Sequence, residues 1–174
     1  VQKEAIFAVW NTALSNVKNK DCYLNAGAAA AICKLLQSPV AIVQEKAAGC
    51  VLSLCASQHV RSQDALRDAG CAPLLVSLLS SSSADVQNWS SQAILKLSGG
   101  HSVNTCALCD AGAVGALAGV VSKGSGEARK QACGALWGLV LGGGGGQGGV
   151  DALEGLLGSD GEEGVKAALE GLSA

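Results

Sequence analysis

Eight cysteines, two histidines and a run of glycines are the residues of this 174-residue chain whose types and spacing suit chemistry. Cys106-Ala-Leu-Cys109 has the spacing of half a zinc site. A structural zinc takes four ligands, so a second pair, or histidines at ligand spacing, must accompany it. His101 is close in sequence, but no fourth ligand is evident, and neither a metal nor a redox role is assigned. His59 and His101 lack a matching Ser/Asp or Cys/Asn constellation, and each precedes a short helix, where solvent exposure is the ordinary case. Residues 142–149 read Gly-Gly-Gly-Gly-Gly-Gln-Gly-Gly. They lack the Gly-Lys-Ser/Thr ending of a phosphate loop and follow no strand, so they read as a flexible loop. Asp151 and Glu154 share a helix face as solvated charges. No nucleophile, base and orienting group converge. The expectation is a protein with no enzymatic activity, no catalytic residue, no metal and no cofactor.

The cysteines find a different explanation in an internal repeat. An Ala-Gly step recurs at Ala26-Gly27, Ala69-Gly70 and Ala111-Gly112, with a weaker copy at Gln147-Gly148, so the glycines are 43, 42 and 36 residues apart. Five residues after each glycine stand Ile32, Leu75, Leu117 and Leu153. Sixteen residues after each, a second pattern opens at Val43, Val86, Ala128 and Gly164, and an additional copy opens at Val1. From those starting points, offsets 4, 7, 8 and 11 are small or apolar: Ala47, Cys50, Val51 and Leu54 in one copy, Ser90, Ala93, Ile94 and Leu97 in the next. Such offsets draw one stripe on a 3.6-residue helix. In this register Cys22, Cys33, Cys50, Cys55, Cys71 and Cys133 align with alanine, valine or isoleucine, and they read as small buried hydrophobes. Scattered helical thiols also point to a reducing compartment, and a cytoplasmic, nuclear or cytoskeletal location is expected.

Breaks fall where stacked helices need them. Ser38-Pro39 offers a capping hydroxyl before a proline at a first helical position. Ser159-Asp160-Gly161-Glu162 has capping-box spacing. Short helices are expected at 19–25, 60–68 and 103–110, each followed by a turn at glycine, a helix of about ten residues and a longer helix.

The segments DAGCAPLLVSLLSSSSADVQ (68–87) and NAGAAAAICKLLQSPVAIVQEKAAGCVLSL (25–54) resemble armadillo repeats of the kind found in β-catenin and importin-α. The resemblance covers nearly the whole chain. It implies an all-α, right-handed superhelical solenoid, with HEAT repeats as the alternative. A single array over 1–174 is expected: 1–18 as the last helix of a preceding repeat, repeats at 19–57, 58–100 and 101–141, a glycine-rich loop at 142–148, and a degenerate capping repeat at 149–174. Val1 is not expected to be a native start, since the chain contains no methionine. The apolar stripe of residues 1–14 calls for upstream repeats or a partner chain to cover it.

Such arrays line a concave groove with their longest helices, which the resemblance makes the expected binding surface. In importin-α-like arrays the ladder carries Trp at offset 6 and Asn at offset 10. Here those positions hold Phe7 and Asn11, Gly49 and Ser53, Gln92 and Lys96, and Gly134 and Gly138, so one rung of four resembles that ladder. Trp89 stands at offset 3, where the other copies have Glu4, Lys46 and Gln131; it is read either as an exposed contact beside Gln92 and Lys96 or as a ring folded over the adjacent repeat. Trp10 and Trp137, at offset 9, read as packing residues. The candidate protein-binding groove is thus Phe7, Asn11, Ser53, Trp89, Gln92 and Lys96.

Apolar residues make up 49 % of the chain, charged residues 15 %, and the net charge is −2. That balance gives no electrostatic reason to expect nucleic acid. No apolar run approaches the ~20 residues of a bilayer span. The expected function is a non-enzymatic scaffold or adaptor that binds other proteins or extended peptide segments. The alternatives are a nucleocytoplasmic transport adaptor and the substrate-recognition arm of a larger ubiquitin ligase.

Overall fold

A computed structural model describes residues 2–14 and 16–141, with the side chains of residues 8–14 and 16–140. The capping-box tetrapeptide at 159–162, the loop at 142–148 and the capping repeat at 149–174 lie outside these residues. Ten α-helices follow in order: α1 (Gln2–Ala13), α2 (Val17–Asn25), α3 (Ala28–Leu36), α4 (Ala41–Cys55), α5 (Val60–Asp68), α6 (Cys71–Leu78), α7 (Ala84–Ser98), α8 (Ser102–Asp110), α9 (Ala113–Lys123) and α10 (Gly126–Leu141). No strand occurs among the described residues.

The recurring glycines make the turns between each short helix and the next. Gly27, Gly70 and Gly112 have φ of +80°, +80° and +84°. A residue with a Cβ reaches that region only at a cost, which is why Gly follows a helix end so often. The preceding residue closes the helix: the Ala26 N–H donates to the Cys22 carbonyl at 3.0 Å, and Ala69 and Ala111 do the same to Ala65 and Ala107 at 3.1 Å.

Two local expectations need correction. Pro39 is not the first helical residue. The helix α4 opens at Ala41 after an extended Val40, whose N–H donates to the Ser38 hydroxyl at 3.2 Å, while Gln44 Nε2 donates to the Ser38 carbonyl at 2.8 Å. Ser81 and Gln87 repeat this arrangement before α7. Ser38 therefore shapes a turn that the glutamine side chain closes. The histidines are also not ordinary exposed loop residues. His59 and His101 are the N-cap residues of α5 and α8, and their side chains are mostly buried. His101 Nδ1 accepts from the Asn104 N–H at 3.4 Å; His59 Nδ1 lies 2.7 Å from the Ser62 hydroxyl.

The long helices α1, α4, α7 and α10 pack in series, as do α3, α6 and α9. Where the long helices meet, the stripe is small: Ala47, Ala93, Ala132 and Ala135 are fully buried, and Cys50 nearly so. Larger residues fill the space between layers. Leu54, Leu66, Leu75, Ile94, Leu108 and Leu117 are inaccessible to solvent, each contributing about 1.5–3 kcal/mol by burial. Cys33, Cys55, Cys71 and Cys133 join this core as expected, but Cys22 is exposed.

The long helices end in turns of unequal length. Three residues (14–16 and 99–101) join α1 to α2 and α7 to α8, whereas four (56–59) join α4 to α5. The extra residue accounts for the 43-residue glycine spacing beside the 42-residue one. It forms a 3-10 turn, Ala56–Gln58, in which Ser57 and Gln58 have φ of +59° and +52°.

Candidate protein-binding groove

The four long helices carry the residues that the repeat register assigns to one face. Their fixed register comes partly from polar clamps at their ends. Asn19 Nδ2 donates to the Thr12 carbonyl at 3.0 Å, and Asn104 Nδ2 donates to the equivalent Leu97 carbonyl at 3.0 Å. The short helices carry ion pairs across repeats: Arg61 to Asp21 at 2.6 Å, and His101 Nε2 to Asp64 at 3.1 Å. The Arg67 guanidinium, bonded to Asp64, holds that carboxyl below its ordinary range.

Phe7 lies on α1, but its side chain is outside the described ones. Asn11 is exposed on the same helix. Ser53 is fully buried in α4, and its hydroxyl has no hydrogen-bond partner. Gln92 is half-buried and donates to Asn88 Oδ1 at 3.0 Å. Lys96 is exposed on α7, and no acceptor faces its ammonium among the described residues. Trp89 is half-buried: its ring meets Trp10 edge to face, with centroids 4.6 Å apart and planes at 81°. The two rings come from α1 and α7, with α4 between those helices. Trp89 thus leans across α4 onto Trp10 of α1 and stays half-buried.

Three residues that the register did not single out as groove residues complete this arrangement. The Trp10 indole lies over Gly49, where a Cβ would stand 3.1 Å from two ring atoms. The Lys46 ammonium sits 4.8 Å from the Trp10 ring centroid and 2.6 Å from the Glu45 carboxylate. The signal was available in sequence as a pair: a glycine at offset 6 of one long helix and a tryptophan at offset 9 of the preceding one. A related contact occurs at Gly138, at offset 10 of α10, where a Cβ would stand 2.8 Å from Cδ1 of Leu95, at offset 9 of the preceding long helix. Trp137, at the offset of Trp10 and Leu95, is 40 % exposed and is not a core residue.

Between the carboxyl ends of α4 and α7 lies a cavity of about 510 Å³ lined by Cys55, Ser57, Gln58, Leu95, Lys96 and Gly99. Burial pushes the thiols of Cys50 and Cys55 up to about 12, so neither is a nucleophile at neutral pH. No group of three or more His, Cys, Asp or Glu side chains is disposed to hold a metal among the described residues. None of the described helices is long and apolar enough to cross a membrane singly. Helices α8 and α9 pass that test of length and composition only as a pair, bent by 72°.

No family model matches the sequence, and no curated protein matches it. Solved structures do. An engineered protein of known crystal structure is 30 % identical with a TM-score of 0.81, over 98 % of this chain and 72 % of that one. A second engineered protein is 28 % identical with a TM-score of 0.79, over 99 % of this chain and 44 % of that longer one. A designed armadillo repeat protein, solved in complex with the peptide (KR)4, is 26 % identical with a TM-score of 0.75, over 97 % of this chain and 74 % of that one. With its short helix, glycine turn, middle helix and long helix repeated in register, the chain belongs to the armadillo repeat proteins.

Proposed function

We propose that this chain is a non-catalytic scaffold that binds an extended segment of another protein along the face formed by α1, α4, α7 and α10. The observation that carries this is the register of the long helices, which sets Asn11, Gln92 and Lys96 on one face of an array whose designed relative was solved with a peptide bound. Hydrogen-bonding amides and a free ammonium beside half-buried tryptophans are an interface composition. A transport-adaptor reading finds Asn11 in place on α1 but Gly49 and the buried Ser53 on α4, so the general scaffold reading is preferred. Buried cysteines scattered along the helices as packing residues suit work in a reducing compartment.

The reading is tested by screening extended peptides against residues 1–174 and measuring the affinity of those that bind. Gln92→Ala combined with Lys96→Glu should weaken binding by about tenfold or more, as expected for central contacts. Arg61→Ala, on the short-helix side, should leave affinity unchanged. Equal affinity for all three chains would sink the proposed face.

A further inference from the structure

The aromatic pair has a consequence for the charge of the partner. Trp10 is surrounded by its own chain: Gly49 lies beneath the ring, Trp89 meets it edge to face, and the Lys46 ammonium occupies the cation position over it at 4.8 Å. A cation gains from an indole face because the ring quadrupole is negative there. A second cation arriving at Trp10 meets a ring already engaged and a like charge beside it. Glu45, at 2.6 Å, balances Lys46 locally and is itself mostly buried, so it offers little to a visitor. At offsets 3, 6 and 10 of α4, α7 and α10 the charged residues are Lys46 and Lys96, with no carboxylate, and α1 carries Glu4 at offset 3. The carboxylate nearest to the two lysines is Glu45, already paired with Lys46, while Asp85 and Glu127 sit in the first turns of α7 and α10, at the other end of the helices from Lys96.

We propose that Lys46 sets the charge of the bound segment: it holds the cation position over Trp10, so that this part of the groove excludes lysine and arginine side chains and receives an extended segment bearing carboxylates. Lys96, which has no acceptor of its own, is the second contact for that segment. This rests on the scaffold reading of the same face and makes it narrower. Lys46 acts as a specificity residue in two ways, by occupying the ring and by presenting positive charge to the groove.

Two measurements separate the gate from the scaffold. The first needs no partner. In a Trp137→Phe background, which leaves Trp10 and Trp89 as the only tryptophans, quenching by caesium and by iodide is compared before and after Lys46→Gln. Caesium quenching should rise severalfold while iodide quenching falls; unchanged caesium quenching would overturn the gate. Lys46→Met, which keeps the aliphatic stem, should give the same result, and circular dichroism should show equal helix content in all variants. The second titrates fluorescein-labelled (DE)4 and (KR)4 peptides against the wild-type chain and Lys46→Glu. The wild-type chain should prefer (DE)4, and the exchange should shift the ratio of affinities by about tenfold or more toward (KR)4, the size of a partly desolvated cation–π and charge contact. A ratio that does not move, or a wild-type preference for (KR)4, would overturn the assignment of partner charge. If quenching responds and neither octapeptide binds, that assignment also fails. If no extended peptide of any charge binds residues 1–174, it is the scaffold reading that fails.

Discussion

The carboxyl ends of α4 and α7 occupy equivalent places in successive repeats and are closed by different chemistry. At the end of α4, Lys20 from α2 is buried to 1 % exposure and its ammonium donates to the Ala56 carbonyl at 2.5 Å. At the end of α7, Gln63 from α5 is fully buried and its amide donates toward the Lys96, Leu97 and Gly99 carbonyls at 3.0, 3.3 and 2.9 Å. Lys20 and Gln63 share one register position, as do Ala56 and Gly99. Both solve the same problem, since the last carbonyls of a helix have no partner within it. The ammonium also complements the negative end of the helix dipole, but it leaves water to do so, and desolvation lowers its pKa below the ordinary lysine value. The amide carries no such cost, yet it leaves its own Oε1 buried without a partner. The comparison shows that a repeat preserves the geometry of a contact, while the residue that makes it is free to change.

The largest expected effect follows from removing the amide. Gln63→Ala takes the donor from three carbonyls at the end of α7 and leaves a void beside Asn104, whose Nδ2 donates to the Gln63 carbonyl. A loss of about 3 kcal/mol in unfolding free energy is expected from chemical denaturation. Gln63→Lys, which copies the α4 solution, should recover at least half of that loss. If Gln63→Ala costs under about 1 kcal/mol, the amide is not the clamp described above.

Next in size is Lys20. Lys20→Met leaves the Ala56 carbonyl without its donor and should cost about 1–2 kcal/mol. Lys20→Gln, the α7 solution moved to α4, should stay within about 1 kcal/mol of the wild-type chain. A methionine variant more stable than wild type would show that the cost of burying the ammonium exceeds the value of its hydrogen bond, as happens at some buried charges.

A smaller effect is expected in the turns beyond these caps. The α7 turn reverses through Gly100 at φ +68°, whereas the longer α4 turn places Ser57 at φ +59°. The left-handed region costs a residue with a Cβ about 1–2 kcal/mol, and glycine returns part of that as unfolded-chain entropy. Ser57→Gly should therefore stabilise by about 0.5 kcal/mol, read as a higher denaturation midpoint at constant m value. Gly100→Ala is the opposite experiment and should destabilise, because an added Cβ would also come within 3.2 Å of the Gln58 side chain.

Much of this architecture was legible in the sequence because a solenoid repeats its hydrophobic stripe and its helix-ending glycine at a fixed period. The turns at Gly27, Gly70 and Gly112 and the buried row from Ala47 to Leu139 follow from that register alone. The face of the long helices was less legible. Reading each helix by itself made Trp10 a packing residue without showing that it packs on Gly49 of the next repeat, and made Ser53 a groove residue when it is buried. Side chains that lean from one repeat over the next are invisible to a single-helix pattern; they show only when a vacancy such as Gly49 is paired with a large residue one repeat earlier. Pro39 failed for a related reason, since its neighbour Ser38 is held by Gln44 from the following helix. Caps made by residues 33 to 36 positions away, as with Lys20 and Gln63, leave no local signature.

The smallest expected effect concerns pH and the same α4 turn. His59, the last residue of that turn, is held beside Ser62, with Asp21, Lys20 and Arg61 around it. Burial lowers its pKa below the ordinary 6.5, and the neighbouring Lys20 and Arg61 charges add to that, against Asp21, which raises it. A histidine whose folded pKa lies below its unfolded value binds its proton more readily once the chain unfolds. Its contribution to stability is then fully present above pH 6.5 and is lost as the pH falls through the lowered folded value. The wild-type chain should show a decline in unfolding free energy on that acid side which is shallower in His59→Asn, the residue type found at the equivalent cap, Asn16. Asparagine can accept from the α5 backbone as Asn16 does from the Asn19 N–H at 3.1 Å, so the variant should remain folded with its cap intact. If both chains decline alike between neutral and mildly acid pH, the turn does not hold His59 neutral, and the dependence belongs to the carboxylates of the short helices.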